Sequence, residues 1–237
     1  MAKRIRRTKK EISEDISKTA TLLIEEKGFA NLTVVGLSQN ARIEPIVFYN
    51  RYESLSDFID EFVKGNDYWF SKIVSGVKEV KDPKEQYKNI IRNLFFSLEE
   101  NKIMQELLRW ELSEKNETTR RTAKLREFHT TPLTENYTRL FASSSIPIDS
   151  ISALIIGGIY YLILHKDLSP FSGIDINTQE GKDKIGLAID YLVETLFSED
   201  RVTSEKIGIA RKMKAKGIGD KIISECTGIS LEKITQL

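Results

Sequence analysis

Apolar residues recur every three or four positions along nearly the whole chain, and period-two alternation is scarce, so the pattern predicts helices and not strands. Ile12, Ile16, Ala20, Leu23 and Ile24 form one stripe, which ends at the stop signal Lys27-Gly28. Thr33 is placed to cap a short helix carrying Val34, Leu37 and Ser38. Ala41-Arg42-Ile43 breaks the period, and Glu44-Pro45 restarts it with proline at the first helical position, where its missing N–H is harmless. Ser54 caps a long predicted helix from Leu55 to Val77. Further helices are expected over 84–100, 101–114 and 117–142, with Pro132 kinking or splitting the last. Residues 146–150 read as a connector, with Asp149 or Ser150 as the next cap. Ile151 to His165 is apolar nearly all round, Ser169 to Gly181 reads as a loop, and Ile185 to Phe197 carries the last large stripe. The expected fold class is all-α, with about nine helices before residue 200.

Composition narrows the classes. With 237 residues and 40% apolar content the chain can build a substantial core, and 13 glycines with 5 prolines exclude collagen-like and low-complexity classes. A single cysteine, Cys226, excludes a disulfide framework and fits a reducing cytosol. The basic start, Met1 to Lys10, is followed by no apolar signal-peptide core. The apolar run 151–164 falls short of the about 20 residues of a membrane span, so the expectation is a cytoplasmic protein with no membrane partner. His129 and His165 lie far apart and without a motif, and Gly-rich phosphate loops, HExxH and GxSxG are all missing. No catalytic residue, metal ligand or cofactor is therefore expected, and an enzyme is disfavoured.

The net charge of +1 hides an uneven distribution. Residues 1–10 hold six basic residues and no acid, and 201–237 hold eight basic against four acidic, so the span between them carries −9. A basic arm with Arg4, Arg6 and Arg7 can grip DNA phosphates or reach into a minor groove. Taken alone it fits a frayed, solubilising terminus better, and it points to DNA only beside a DNA-binding unit.

Residues 33–52 have the layout of a helix-turn-helix, with Ser38, Ala41 and Ile43 where two crossing helices need small or apolar groups. In isolation a plain helical hairpin fits equally well. The wider pattern is more specific: Ile16-x3-Ala20-x2-Leu23, Glu26-Lys27-Gly28-Phe29, Thr33-Val34, Leu37, Ile43, Phe48-Tyr49 and Tyr52-x-Ser54. Over about residues 12–60 this resembles the N-terminal domain of the tetracycline-repressor (TetR) family of bacterial transcription regulators. Leu108-Arg109-Trp110-Glu111-Leu112 with Thr118, Arg120, Arg121 and Arg126-Glu127 is similar, more loosely, to one subgroup of the family's regulatory domains.

The resemblance implies a basic arm (1–10), a helix-turn-helix DNA-binding domain (11–58), a helical ligand-binding and dimerisation domain (59–200) and a helical extension (201–237). It makes 44–52 the recognition helix, with Pro45, Ile46, Val47 and Asn50 nearest base edges and Tyr49 and Thr33 on phosphates. Asn50 would pair with adenine, and Ile46 and Val47 would touch thymine methyls. Three positions depart from the family pattern. Arg42 stands where the turn usually has glycine, Leu55 replaces a common phosphate-binding lysine, and Ile46-Val47 replaces a small Gly-Thr pair. Arg42 is read either as a phosphate contact or as a strained turn.

The same resemblance implies a homodimer on a palindromic, double-stranded operator and release by an unidentified, apolar small-molecule effector, which moves the 54–77 helix and with it the half-site spacing. The expected dimer face carries Gly157, Gly158, Tyr161, Leu192 and Leu196; the alternative is that the glycines only relieve internal packing. Trp69, Phe70, Phe95, Met104, Trp110, Tyr137 and Phe141, with Glu111 as a polar group, are the candidate effector wall, and each also fits plain core packing. The implied site of action is the bacterial cytoplasm, on the nucleoid when bound. The competing class is a nonspecific helical DNA- or membrane-interaction protein relying on the arm.

The tail adds one more pattern. Ile222-Ile223-x2-Cys226-Thr227-Gly228-Ile229-Ser230-Leu231-x2-Ile234-x2-Leu237 repeats the layout of residues 36–48. It is also similar to short helical tails that follow some transposase-like nucleases, without their catalytic part. A docked or dimer-stabilising appendage is expected, with DNA contact as the alternative.

Overall fold

Local signals set where most helices begin and end. The computed structural model describes residues 7–66, 69–77, 79–142, 144 and 146–237, and among these it contains twelve α-helices and no strand. The all-α expectation holds. α1 (Lys9–Lys27) opens on a reciprocal capping box in which Thr8 and Glu11 each satisfy the other's backbone N–H. It stops at Gly28, whose φ of 76° is the left-handed backbone that glycine adopts without a Cβ clash. A 3-10 turn (Phe29–Asn31) leads to α2 (Val34–Asn40), α3 (Pro45–Tyr49), α4 (Leu55–Asn66) and α5 (Trp69–Gly76). α6 (Pro83–Glu100), α7 (Lys102–Ser113), α8 (Glu117–Leu140), α9 (Ile148–His165) and α10 (Gln179–Ala215) follow, then α11 (Asp220–Thr227) and α12 (Leu231–Thr235).

The predicted 54–77 span is helical on both sides of residues 67 and 68, as α4 and α5, and those two residues lie outside the described ones. Three expectations change. Pro132 neither splits nor ends α8; it removes the helical bond to the Phe128 carbonyl, and the helix continues to Leu140. α9 starts earlier than expected, with Pro147 and not Asp149 or Ser150 at its N-cap. The stripe expected to end at Phe197 continues instead through the basic tail as one helix of 37 residues, about 55 Å long. No proline interrupts the polar residues 198–206, so the backbone has no reason to break there.

The chain divides into two units. The first comprises Met1–Glu79, Asn93–Thr130 and Ile163–His165. Its core joins Ile16, Ala20 and Ile24 of α1 to Leu37 and Phe48, with Phe58 and Phe62 from α4. α7 packs on α1 and the 3-10 turn, where the Trp110 and Phe29 rings stack at 5.3 Å and 10°. The second unit comprises Val80–Arg92, Thr131–Leu162 and Lys166–Leu237. Tyr87, Tyr137, Phe141 and Phe197 form its aromatic cluster. Arg92 pairs with Asp190 at 2.7 Å, and Lys84 with Glu194 at 3.0 Å, tying α6 to α10. At its C-terminal end Ala210, Ile223 and Ile234 close a small separate core under Met213, Ile218, Ile229 and Leu237.

Candidate nucleic-acid interface

The head is built around α2, a tight turn and α3. Thr33 is extended and its hydroxyl accepts from the Gly36 N–H at 3.0 Å, which fixes the start of α2. The Ile43 N–H donates to the Ser38 carbonyl at 2.9 Å and closes the turn. Between them Arg42 sits at φ 54°, in left-handed backbone. Pro45 then stands at the first position of α3. Phe48 is wholly buried against Tyr49, Tyr52 and Phe58, so α3 is held by one aromatic anchor. Burial raises the pKa of the Tyr52 phenol, with Glu61 adding to the effect.

The opposite side of α3 is open. Pro45, Ile46, Tyr49 and Asn50 are exposed, Ile46 by 61% and Tyr49 by 52%, while Val47 is half-buried. The exposed side of this short helix is thus apolar apart from the Tyr49 hydroxyl and the Asn50 amide. Such a surface can meet thymine methyls and adenine edges and has no charge of its own.

Two arginines brace this element, and neither role was legible in the sequence. The Arg7 guanidinium donates to the Ala41 carbonyl at 3.0 Å and to the Arg42 carbonyl at 2.6 Å, and pairs with Asp15 at 2.7 Å. It therefore clamps the left-handed turn to α1. Arg51 donates to the Val47 carbonyl at 2.9 Å and to the Lys9 carbonyl at 3.4 Å, which fixes the far end of α3 to the start of α1. Arg7 was singled out for DNA; the structure places it on the turn. Arg4 and Arg6 lie outside the described residues.

The candidate effector residues fall in both units. Phe95, Met104, Trp110 and Glu111 belong to the first, and Tyr137 and Phe141 to the second. The side chains of Trp69 and Phe70 lie outside the described residues. The other five apolar candidates are buried. Glu111 is engaged: Arg126 donates to both its carboxylate oxygens at 2.8 and 2.9 Å, and the Thr122 hydroxyl donates at 2.6 Å. The Trp110 indole Nε1 is buried without a hydrogen-bond partner among the described residues. An open groove of about 700 Å³ in the same unit is lined by other residues, including Lys115, Arg120, Arg121, Lys124, Leu125 and Phe128.

On the expected dimer face, Gly157, Gly158 and Tyr161 are exposed and share a stripe of α9 with Leu154, itself 77% exposed. Leu192 is exposed on α10, but Leu196 turns into its own unit and is buried; Leu187 and Tyr191 occupy the exposed stripe instead. Leu187 and Tyr191, one helical turn apart, lie on one side of α10, with Leu192 at its edge. α9 is 18 residues long with a mean hydropathy of 1.6, so length and composition alone would let it cross a membrane, contrary to the shorter run expected.

Solved structures share this fold. The fatty acid degradation regulator FadR from Bacillus halodurans superposes with a TM-score of 0.59 at 14% identity, over 79% of this chain and 96% of that one. A TetR family transcription regulator from Marinobacter aquaeolei gives 0.55 at 15% identity, over 77% and 94%. The fold is that of the TetR-family regulators. NalD, the secondary repressor of the MexAB-OprM multidrug efflux pump in Pseudomonas aeruginosa, has the same TetR-type fold, with a TM-score of 0.55 at 13% identity over 79% and 96%. No protein-family model matches the sequence, and no curated protein matches it. The α2–turn–α3 segment occupies the residues that the sequence resemblance assigned to DNA reading, and Arg42, which departs from the family pattern, sits there in a backbone conformation that favours glycine.

Proposed function

We propose that this protein is a sequence-specific, DNA-binding transcription regulator, and more narrowly a repressor that binds a pseudo-palindromic operator as a homodimer. The observation that carries the reading is the head: an anchored α3 that presents Ile46, Tyr49 and Asn50 to solvent from a braced turn. A single such helix spans too few base pairs to find one genomic site, so two copies with recognition helices about 34 Å apart are required. The exposed stripes Leu154–Gly157–Gly158–Tyr161 and Leu187–Tyr191–Leu192 supply the self-complementary apolar surface. Burial of that surface in a dimer also accounts for the hydropathy of α9 without a membrane. The repressor NalD, alike in fold, supports repression as the direction of control.

An effector enters this scheme through α7. That helix carries Trp110 against Phe29 at the base of the head, so a molecule that wedges the Trp110 region apart would move α1 and the recognition helix together. The Trp110 N–H without a partner supports a mainly apolar effector with one acceptor group, since a buried, unpaired donor costs about 1–3 kcal/mol. A coupling of about 1–3 kcal/mol would weaken operator binding roughly 5- to 150-fold. Proline, isoleucine, valine and asparagine at 45, 46, 47 and 50 are the base-facing residues in this reading, and Thr33 and Tyr49 the phosphate-facing ones.

Selection of bound duplexes from a random DNA pool tests the reading. An enriched pseudo-palindrome with half-sites one helical turn apart is the expected result. Uniform recovery of all sequences would replace it with nonspecific binding.

A further inference from the structure

The C-terminal unit copies the DNA-reading element of the head in an ungapped register. With a constant offset of 186 positions, residues 33–50 map onto 219–236. Thr33 and Gly219 are the N-caps, and α2 and α11 both start one residue later. Buried Leu37 maps onto buried Ile223, buried Ala41 onto buried Thr227, and Ser38 onto Ser224. Arg42 and Gly228 are the left-handed turn residues, at φ 54° and 69°. Ile43 maps onto Ile229, extended Glu44 onto the extended N-cap Ser230, and α3 onto α12, each five residues long. Phe48 and Ile234, the inward anchors of the second helices, are both wholly buried. The order of buried, half-buried and exposed positions agrees throughout except at the pairs 36/222 and 38/224. A generic helical hairpin needs one buried stripe; it does not need the same turn conformation, helix starts and inward anchor at the same offsets.

We infer that α11–turn–α12 is a second helix-turn-helix that binds double-stranded DNA. Charge selects this occupant. Residues 201–237 carry eight basic and four acidic residues, against −9 for residues 11–200, and Arg211, Lys212, Lys216 and Lys221 are exposed where α10 ends and α11 begins. Cationic side chains clustered beside a helix-turn-helix meet phosphates, whose counterions they release. In the register of the head, Gln236 takes the place of Asn50, and both are exposed amides able to pair with the adenine edge. The second helix also presents Glu232, a partner for cytosine N4, and is therefore chemically unlike the apolar α3. The two elements share a scaffold and differ in what they read.

The test uses the full chain and the duplex that it selects from a random pool, with Lys212→Glu/Lys221→Glu compared with Lys212→Arg/Lys221→Arg. Expected for the Glu pair is roughly tenfold or greater loss of affinity, a salt slope smaller by about one for each phosphate no longer neutralised, and a shorter footprint, with the Arg pair unchanged. The control Lys72→Glu/Lys102→Glu makes the same charge change at exposed sites outside this unit. The inference is overturned if the Glu pair leaves affinity, slope and footprint unchanged, if the control pair weakens binding equally, or if only self-association changes, which would make the unit a protein-docking element. Unchanged thermal midpoints show that the variants are folded. Asn50→Ala in the head reports separately on the function proposed above, so either DNA contact can fail alone.

Discussion

Replacing Arg42 by glycine should stabilise the protein and, at the same time, make Arg7 less important. Left-handed backbone at φ 54° costs a non-glycine residue roughly 1–2 kcal/mol, and glycine returns about 0.4–1 kcal/mol of that through a freer unfolded chain. The net gain for Arg42→Gly is about 1 kcal/mol or somewhat less, which for a chain of this size raises the thermal midpoint by about 2–4 °C per kcal/mol. Arg7→Ala removes donors from the Ala41 and Arg42 carbonyls together with the Asp15 pair. Both side chains of that pair are more than a third exposed, so the pair itself adds little, and the two carbonyl bonds account for a loss of about 1–2 kcal/mol. If Arg7 holds a strained turn, its loss should be smaller once the strain is gone, with a coupling of about 0.5–1 kcal/mol across the double-mutant cycle. Thermal or urea unfolding of the four proteins measures this. Additive effects, or a destabilising Arg42→Gly, would refute the brace. The salt slope of DNA binding separates the rival role: if either arginine neutralises a phosphate, its removal lowers the slope by about one without requiring a shift in midpoint.

Three further expectations follow from particular contacts. Glu111→Ala should destabilise by about 1.5–3 kcal/mol in urea unfolding, because it removes the bidentate acceptor of the Arg126 guanidinium, 13% exposed, inside the first unit; an apolar pair at both positions should recover most of the loss. Burial, reinforced by neighbouring Tyr87, raises the Tyr137 phenol above its ordinary value of 10.0. The unfolded chain therefore releases that proton first: stability is full below about pH 10 and falls as pH rises beyond it, and Tyr137→Phe should make the alkaline fall in urea midpoint shallower. Leu154→Glu with Tyr191→Glu puts carboxylates on the two exposed stripes and should give monomers in equilibrium sedimentation, with operator affinity lost alongside; intact dimers would remove these helices from the interface.

Much of the architecture was legible because it is local. The capping residue Thr33, the stop at Gly28 and the proline at the start of α3 act within one turn of their own position, so spacing alone places them. The alternation of inward Phe48 with outward Ile46 and Tyr49 likewise follows from helical period. What escaped depends on distance along the chain. Arg7 meets carbonyls 34 and 35 residues away, and Arg51 one 42 residues away, so composition reads both only as positive charge. Leu196 and Tyr191 are both apolar on one helix, and only the neighbours that cover Leu196 decide which of them faces outward. The uninterrupted α10 was missed for the opposite reason: its polar middle has no apolar stripe, and helical continuity there rests on the lack of a breaker.

The two turns show how sequence and strain combine. Gly228 occupies left-handed backbone without a Cβ, and its turn carries no long-range arginine clamp among the hydrogen bonds described. Arg42 occupies the same conformation with a side chain, and there two guanidinium nitrogens hold the adjoining carbonyls. The difference is physical: where the residue itself favours the conformation, local bonds such as Ser224 to the Ile229 carbonyl suffice, and where it does not, the fold recruits a donor from the start of α1. This ties the head's turn to the arm, because Arg7 is the arm's last arginine. Reorganisation of residues 1–6 on a phosphate backbone would then be felt at Arg7, and through it at the angle of α3. Truncating residues 1–6 should therefore do more than remove charge: it should loosen base discrimination in the enriched operator while leaving the C-terminal helix-turn-helix footprint in place. A truncation that scales all affinities down equally, with discrimination intact, would show that the arm contributes phosphate contacts alone.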